Sequence, residues 1–256
     1  ERATADALEE RLDWLLSDAR PHDRRVLFFS GHGVRLPSYN ALEVVDQLDE
    51  GLALHDFDWD RPGTAFVDDA FAAWYAQLDH DVRFTALFDC CHSGGMARAA
   101  GARVRGLPPP DDIRHRMLAY ESGWTDRFDH ERRDRLKRLT EDAGELRVAN
   151  LGAGATVRSE RAQYVDRRQV RGHDGPFMPL MAYACGEGEL AFEHQVGPTV
   201  HGAFTWTLLQ KAKRGTLPSF QQLVERRVRP GVRRLGYAQT AEVNGPVVRL
   251  EEPFSL

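Results

Sequence analysis

Apolar positions along the chain alternate between helical spacing and short continuous runs. Ala5, Leu8, Leu12, Leu15 and Leu16 recur at helical intervals, which predicts an amphipathic helix over residues 4–18. Pro21 to Asp23 reads as a turn. Val26-Leu27-Phe28-Phe29 then forms a short apolar run without polar alternation, as expected of a strand buried on both faces. Residues 34–51 read as a loop with a partly apolar middle, and Leu52 to Leu54 as a short strand before an acidic stretch. Asp68-Asp69 suits a helix start, because carboxylates favour the N-terminal turn, and Ala70, Phe71, Trp74, Tyr75 and Leu78 supply that helix's apolar face. Val82 to Phe88 is a second buried strand. Strand, helix, strand predicts an α/β architecture with a parallel sheet. The pattern then lapses over residues 98–172, which carry three consecutive prolines and a high density of arginine; an exposed helix over 129–142 is the single element expected there. Order returns with a strand over 178–184, a helix over 201–211 and a helix marked by Phe220, Leu223, Val224 and Val228.

Composition narrows the class. The chain has 256 residues, 42% hydrophobic and 29% charged, enough apolar content for a core and too much for wholesale disorder. No apolar run approaches the ~18 residues of a membrane span, and no secretory leader is recognisable, so neither a membrane nor export is expected. A net charge of -5 gives no basis for nucleic-acid binding. Three cysteines cannot build a disulfide framework, which points to a reducing, cytoplasmic compartment.

Two of those cysteines, Cys90 and Cys91, end the second buried strand and enter His92-Ser93-Gly94-Gly95, while the first strand ends in Ser30-Gly31-His32-Gly33. Catalytic groups gather beyond the C-terminal ends of parallel strands, so neighbouring strands would bring His32 and Cys91 to one edge. A thiol with an ordinary pKa near ~8.5 is mostly protonated at neutral pH, and an imidazole that removes the proton and returns it to a leaving amine makes it a useful nucleophile. Gly33, Gly94 and Gly95 allow close approach of a substrate backbone and free N–H groups to face an oxyanion. Zinc is the competing reading of His32, Cys90, Cys91 and His92, but adjacent ligands fit poorly with the two-to-four-residue spacing of zinc cysteines.

VLFFSGHG and the later FDCCHSGG, which set His32 and Cys91 59 residues apart, resemble the caspase superfamily, closest to the metacaspases and their bacterial relatives. DEGLALHDFD, VDDAF, MAYACGEGELAFE, HGAFTWTLL and GYAQTAEVNGP resemble further family segments, so the likeness extends over most of the chain. It implies a caspase-like three-layer fold, with a mostly parallel central sheet flanked by helices. A single domain over 1–256 is expected, divided into a large-subunit-like part (1–97), an Arg-rich connection (98–175) and a small-subunit-like part (176–256). It further implies a cysteine endopeptidase in which Cys91, directly before His-Ser-Gly, is the nucleophile and His32 the general base and acid. Gly33 and Cys91 would form the oxyanion hole.

Substrate choice follows from the same resemblance. The Gln-Ala-Cys-Arg-Gly motif of Asp-specific caspases is absent. Asp89, two residues before the nucleophile, stands where metacaspases place the carboxylate that pairs with arginine or lysine, and Ser30 occupies another pocket position. Protein or peptide substrates cut after Arg or Lys are therefore expected. No cofactor is required by this reading; calcium stays open through Asp49, Asp68 and Asp69, although Arg98 stands where a fourth carboxylate is expected. The family's first strand, and a pocket Asp near it, have no counterpart. Activation by autocleavage after an arginine in the 98–172 segment, or by an associated sensor, is implied; a catalytically silent regulatory or binding module is the alternative.

Overall fold

A computed structural model describes residues 2–37, 48–60, 64–75, 78–79, 81–91, 103–110, 177, 179–186, 189–212 and 219–253. The helix expected over 129–142 and the glycines Gly94 and Gly95 lie outside them. Among the described residues no helix is long and apolar enough to cross a membrane.

Helix α1 (Ala5–Leu16) begins at Thr4, whose hydroxyl accepts a hydrogen bond from Ala7 N–H, and turns Leu12 and Leu16 inward. Strand β1 (Arg24–Ser30) follows, then β2 (His32–Pro37), β3 (Leu48–Ala53), the two-residue β4 (Phe66–Val67), α2 (Asp68–Tyr75) and β5 (Arg83–Asp89). Beyond the connection come β6 (Leu180–Tyr183), the hairpin β7 (Glu193–Val196) and β8 (Thr199–Gly202), and α3 (Ala203–Ala212). Helix α4 runs through Phe220–Gln222, a π-helical Leu223–Val228 and Arg229–Arg234; β9 (Glu242–Asn244) and α5 (Val247–Glu251) close the order. Pro230 has no N–H to donate, and the wider turn beside it is closed by Arg229 N–H reaching back five residues to Val224.

The central sheet has the order β1-β5-β6-β9, with the first three strands parallel and β9 antiparallel. Strand β6 shows why two layers cover it. All four of its residues are buried: Met181 and Tyr183 join the cluster of α1 and α2, with Phe84 and Phe88, while Leu180 and Ala182 join that of α3 and α4, with Phe204 and Leu223. Helices on both faces of a mostly parallel sheet are the three-layer α/β fold that the sequence leads one to expect.

The stretch 34–51, expected as a loop, instead supplies β2 and most of β3. They pair antiparallel and continue into β4 as a separate three-stranded sheet. Their mixed apolar and charged composition suits a small sheet with one covered face, on which Val34, Leu36 and Ala65 form their own cluster.

Candidate active site

The parallel register fixes the site. Strands β1 and β5 pair with a constant 59-residue offset, ending with Ser30 opposite Asp89. Two residues past each partner come His32 and Cys91, so the spacing between the two motifs is the strand register carried beyond the sheet edge. Gly33 is confined by this closeness: a Cβ there would lie 1.7 Å from the Cys91 carbonyl oxygen.

What occupies this edge is the chain itself. Gly33 N–H and Cys91 N–H both donate to the carbonyl oxygen of Arg105, at 3.1 and 3.0 Å. Two backbone N–H groups converging on one carbonyl oxygen are the arrangement an oxyanion hole requires. Arg105 N–H donates to Ala191 carbonyl at 2.9 Å, and Glu193 N–H donates to Arg103 carbonyl at 2.9 Å. Val104 bridges Phe192 in antiparallel sense, so residues 103–105 lie as an added strand along 191–193. On the far side of Arg105, Leu107 N–H donates to Gly33 carbonyl at 3.0 Å.

The Arg105 side chain runs to the two expected pocket residues. Its Nη2 donates to Ser30 Oγ at 2.5 Å, its Nε donates to the Asp89 carbonyl oxygen at 2.8 Å, and Nε faces Asp89 Oδ1 at 3.6 Å. The Asp89 side chain is fully buried. Its Oδ2 accepts from Thr205 N–H at 3.1 Å and from the Thr205 hydroxyl. Burial pushes the Asp89 carboxyl above its ordinary value, while Arg105 and the Thr205 donors oppose that shift. Gly202 makes the pocket sterically feasible, since a Cβ there would sit 1.9 Å from Asp89 Oδ2.

The three thiols are buried and free of disulfides but unlike one another. Cys91 Sγ accepts from Ala191 N–H at 3.0 Å. Cys90 packs in the cluster under α1 and α2, and burial drives its pKa far upward, as suits a packing thiol. Cys185 packs on the opposite face, its Sγ 3.8 Å from the Cys90 carbonyl. The His32 imidazole has a lowered pKa, first through burial, then through the Arg105 cation, with Glu193 opposing. Its buried Nδ1 has no hydrogen-bond partner among the described residues.

Gly33→Ala tests the convergence of donors directly. The added methyl would collide with backbone atoms of Cys91, which cannot rotate away, so the two N–H groups must part. The expected loss is roughly 10²–10³-fold in kcat, the cost of one oxyanion donor, with a lowered Tm in a thermal scan.

Of the three residues weighed for calcium, Asp68 alone has a described side chain. Asp68 is buried at the start of α2 and lines a small pocket with Glu50, otherwise walled by Leu52, Phe66, Phe71 and Phe88. The side chains of Asp49 and Asp69 lie outside the described residues. Among the described residues no group of three or more His, Cys, Asp or Glu side chains is poised for a metal ion. Four contributors escape the sequence reading: Arg105, the 191–193 strand, Thr205 with Gly202, and Gln239. The last is buried and braces that strand, accepting from Phe192 N–H at 3.0 Å and donating to Ala184 carbonyl at 2.8 Å.

Comparison with known proteins agrees with the motifs. Residues 1–99 match the metacaspase, peptidase C14 domain. Metacaspase-5 of Trypanosoma brucei brucei is 34% identical over 115 residues, 44% of this chain and 22% of that protein. Metacaspase-2 of the same organism is 33% identical over 121 residues, 44% of this chain and 34% of the relative. Metacaspase-1A of Aspergillus fumigatus is 23% identical over 231 residues, 83% of this chain and 48% of the relative. The chain thus spans between about a fifth and a half of these relatives. A crystal structure of a Geobacter sulfurreducens protein matches in fold, with a TM-score of 0.54 at 17% identity, covering 98% of this chain and 78% of that one. These similarities, with the family match resting on residues 1–99, support a cysteine peptidase of the caspase superfamily related to the metacaspases.

Proposed function

We propose that the chain is a cysteine endopeptidase that cuts protein substrates after arginine or lysine, using Cys91 as nucleophile and His32 as general base and acid. The observation that carries this reading is Arg105. Its carbonyl oxygen receives the two N–H groups of Gly33 and Cys91, while its guanidinium meets Ser30 and Asp89. A substrate arginine bound in the same way would present its carbonyl carbon to a nucleophile on Cys91, with its preceding backbone paired to Ala191 and Glu193. Asp89 would supply the charge, and burial strengthens that attraction by excluding water.

In this mechanism His32 accepts the Cys91 proton as sulfur attacks. The two N–H groups stabilise the charge that develops on oxygen, and the protonated imidazole delivers its proton to the departing amine. Water then hydrolyses the thioester, returning the thiol. A panel of fluorogenic peptides with Arg, Lys or Asp before the scissile bond tests the proposal, run with calcium and with a chelator. Cleavage after Arg and Lys is expected. Cleavage confined to Asp would overturn the pocket, and silence on every peptide would favour a regulatory module.

The lowered imidazole pKa gives a pH expectation. A group whose pKa is depressed stays neutral, and able to accept a proton, below its usual titration point. The acid limb of kcat on arginyl peptides, in whose complex the substrate guanidinium stands where Arg105 stands here, should therefore have its midpoint below the ordinary ~6.5 of histidine. Glu193 opposes the shift, so Glu193→Gln should move that limb to still lower pH. A pH–rate profile of both proteins checks the sign; a limb moving upward in Glu193→Gln would contradict the role given to His32.

A further inference from the structure

Arg105 is held as a substrate rather than as a structural arginine, and the difference lies in its backbone. A guanidinium that merely neutralised Asp89 would leave the main chain free to run anywhere. Here the main chain is bound on both sides of one peptide bond. On the N-terminal side, Arg103 and Arg105 pair with Glu193 and Ala191. On the C-terminal side, Leu107 N–H is held by Gly33, and Gly106 bridges Gly33. Between these anchors the Arg105 carbonyl oxygen sits between the N–H groups of Gly33 and Cys91. The residue after Arg105 is a glycine, which places no side chain against the nucleophile. Val104 pairs with Phe192, and Arg103 Nη1 lies 3.9 Å from Glu193 Oε2, so the two preceding side chains are accommodated as well.

From this geometry we infer that Arg105–Gly106 is a bond the chain cuts in itself, intramolecularly. The inference rests on the peptidase reading above. The sulfur of Cys91 bonds to the Arg105 carbonyl carbon, the bond from that carbon to Gly106 nitrogen breaks, and the thiol proton passes by way of His32 to the Gly106 amine. A thioester joins Cys91 to Arg105. One water then adds to that carbon, the C–S bond breaks, and Arg105 leaves as a carboxylate while the thiol is restored. Until the cut is made, the segment excludes other substrates from the pocket. After it, residues 103–105 are held by product contacts alone and can give way to a second chain. Cleavage thus frees the Asp89 pocket.

Intact mass spectrometry of the purified 256-residue chain over time tests this, with calcium and with a chelator, at two protein concentrations tenfold apart. The expected products are residues 1–105 and 106–256, formed at a first-order rate that does not change with concentration. If processing is complete before purification, the C-terminal fragment begins at Gly106. Cys91→Ala should remain whole. Arg105→Gln should slow the cut on the order of 10²-fold or more, and Arg105→Lys, which keeps the cation, should restore it. Circular dichroism of each variant separates loss of folding from loss of cleavage. A wild-type chain that stays whole while cutting an added arginyl peptide would overturn this inference and leave the peptidase proposal standing. A junction elsewhere, or a rate that rises with concentration, would overturn it too. A chain that cuts neither itself nor any peptide would overturn both.

Discussion

Replacing Cys91 with alanine should lower turnover of arginyl peptides by at least about 10³-fold, while replacing Cys90 should leave it within a small factor of wild type. The two residues are neighbours in sequence and their environments differ. Cys91 offers its N–H to the carbonyl oxygen of Arg105, and its sulfur lies within hydrogen-bond reach of Ala191 N–H. Cys90 faces the other way, into the cluster with Phe88 and Met181, where burial suppresses ionisation. A thiol that cannot ionise is a poor nucleophile, so its removal should cost packing alone, about 1–2 kcal/mol in a denaturant melt. Kinetics and melts on both variants separate the two roles. Equal activity losses would remove the distinction between the two thiols.

Asp89→Asn should have the second-largest effect. Asparagine keeps the shape and its Oδ1 can still accept from Thr205, but the carboxylate charge is gone from a site fully closed to water. Losing one partner of a buried charge pair costs about 2–5 kcal/mol, so kcat/KM on arginyl and lysyl peptides should fall on the order of 10²-fold or more. Peptides with an uncharged residue before the scissile bond should lose far less. The same change leaves the Arg105 guanidinium buried beside Ser30 without its anion, so the unprocessed chain should also melt earlier. Steady-state kinetics on paired peptides would detect the selectivity change. A uniform loss across all peptides would mean that Asp89 holds the loop up rather than reading charge.

Much of this site was legible in the sequence because a parallel register is a spacing. Ser30 with Asp89 and His32 with Cys91 are the same offset read twice, and each pair sits just where an apolar run ends. Strands β5 and β6 were legible because they are continuous apolar runs inside the sheet; β1 reads the same way but is not buried on both faces, because it is the edge strand of the four and its Val26 and Phe28 are exposed. The β7-β8 hairpin was missed because Glu193, His194 and Gln195 do not look like a strand. Its one signal is Gly197-Pro198 between them, with Gly197 at a φ of 60°, suited to a tight hairpin turn. Strand β2 was hidden by the Arg35 and Pro37 that interrupt its apolar residues. Arg105 was illegible for a deeper reason. It is one of many arginines in a region with no periodicity, and what singles it out is its distance from Ser30, Asp89, Gly33 and Cys91, a property of the tertiary structure alone. Autocleavage within the Arg-rich segment could be expected in general terms, but the bond could not be chosen.

The most direct measurement is covalent labelling with peptidyl ketone electrophiles that carry arginine or aspartate at the reactive position, followed by mass-spectrometric mapping of the adduct in the processed protein. The predicted result is a single arginyl adduct on Cys91, abolished in Cys91→Ala, strongly reduced in Asp89→Asn, and absent with the aspartyl reagent. Labelling of Cys90 or Cys185 instead, or equal labelling by the aspartyl reagent, would contradict a Cys91 nucleophile served by an Asp89 pocket.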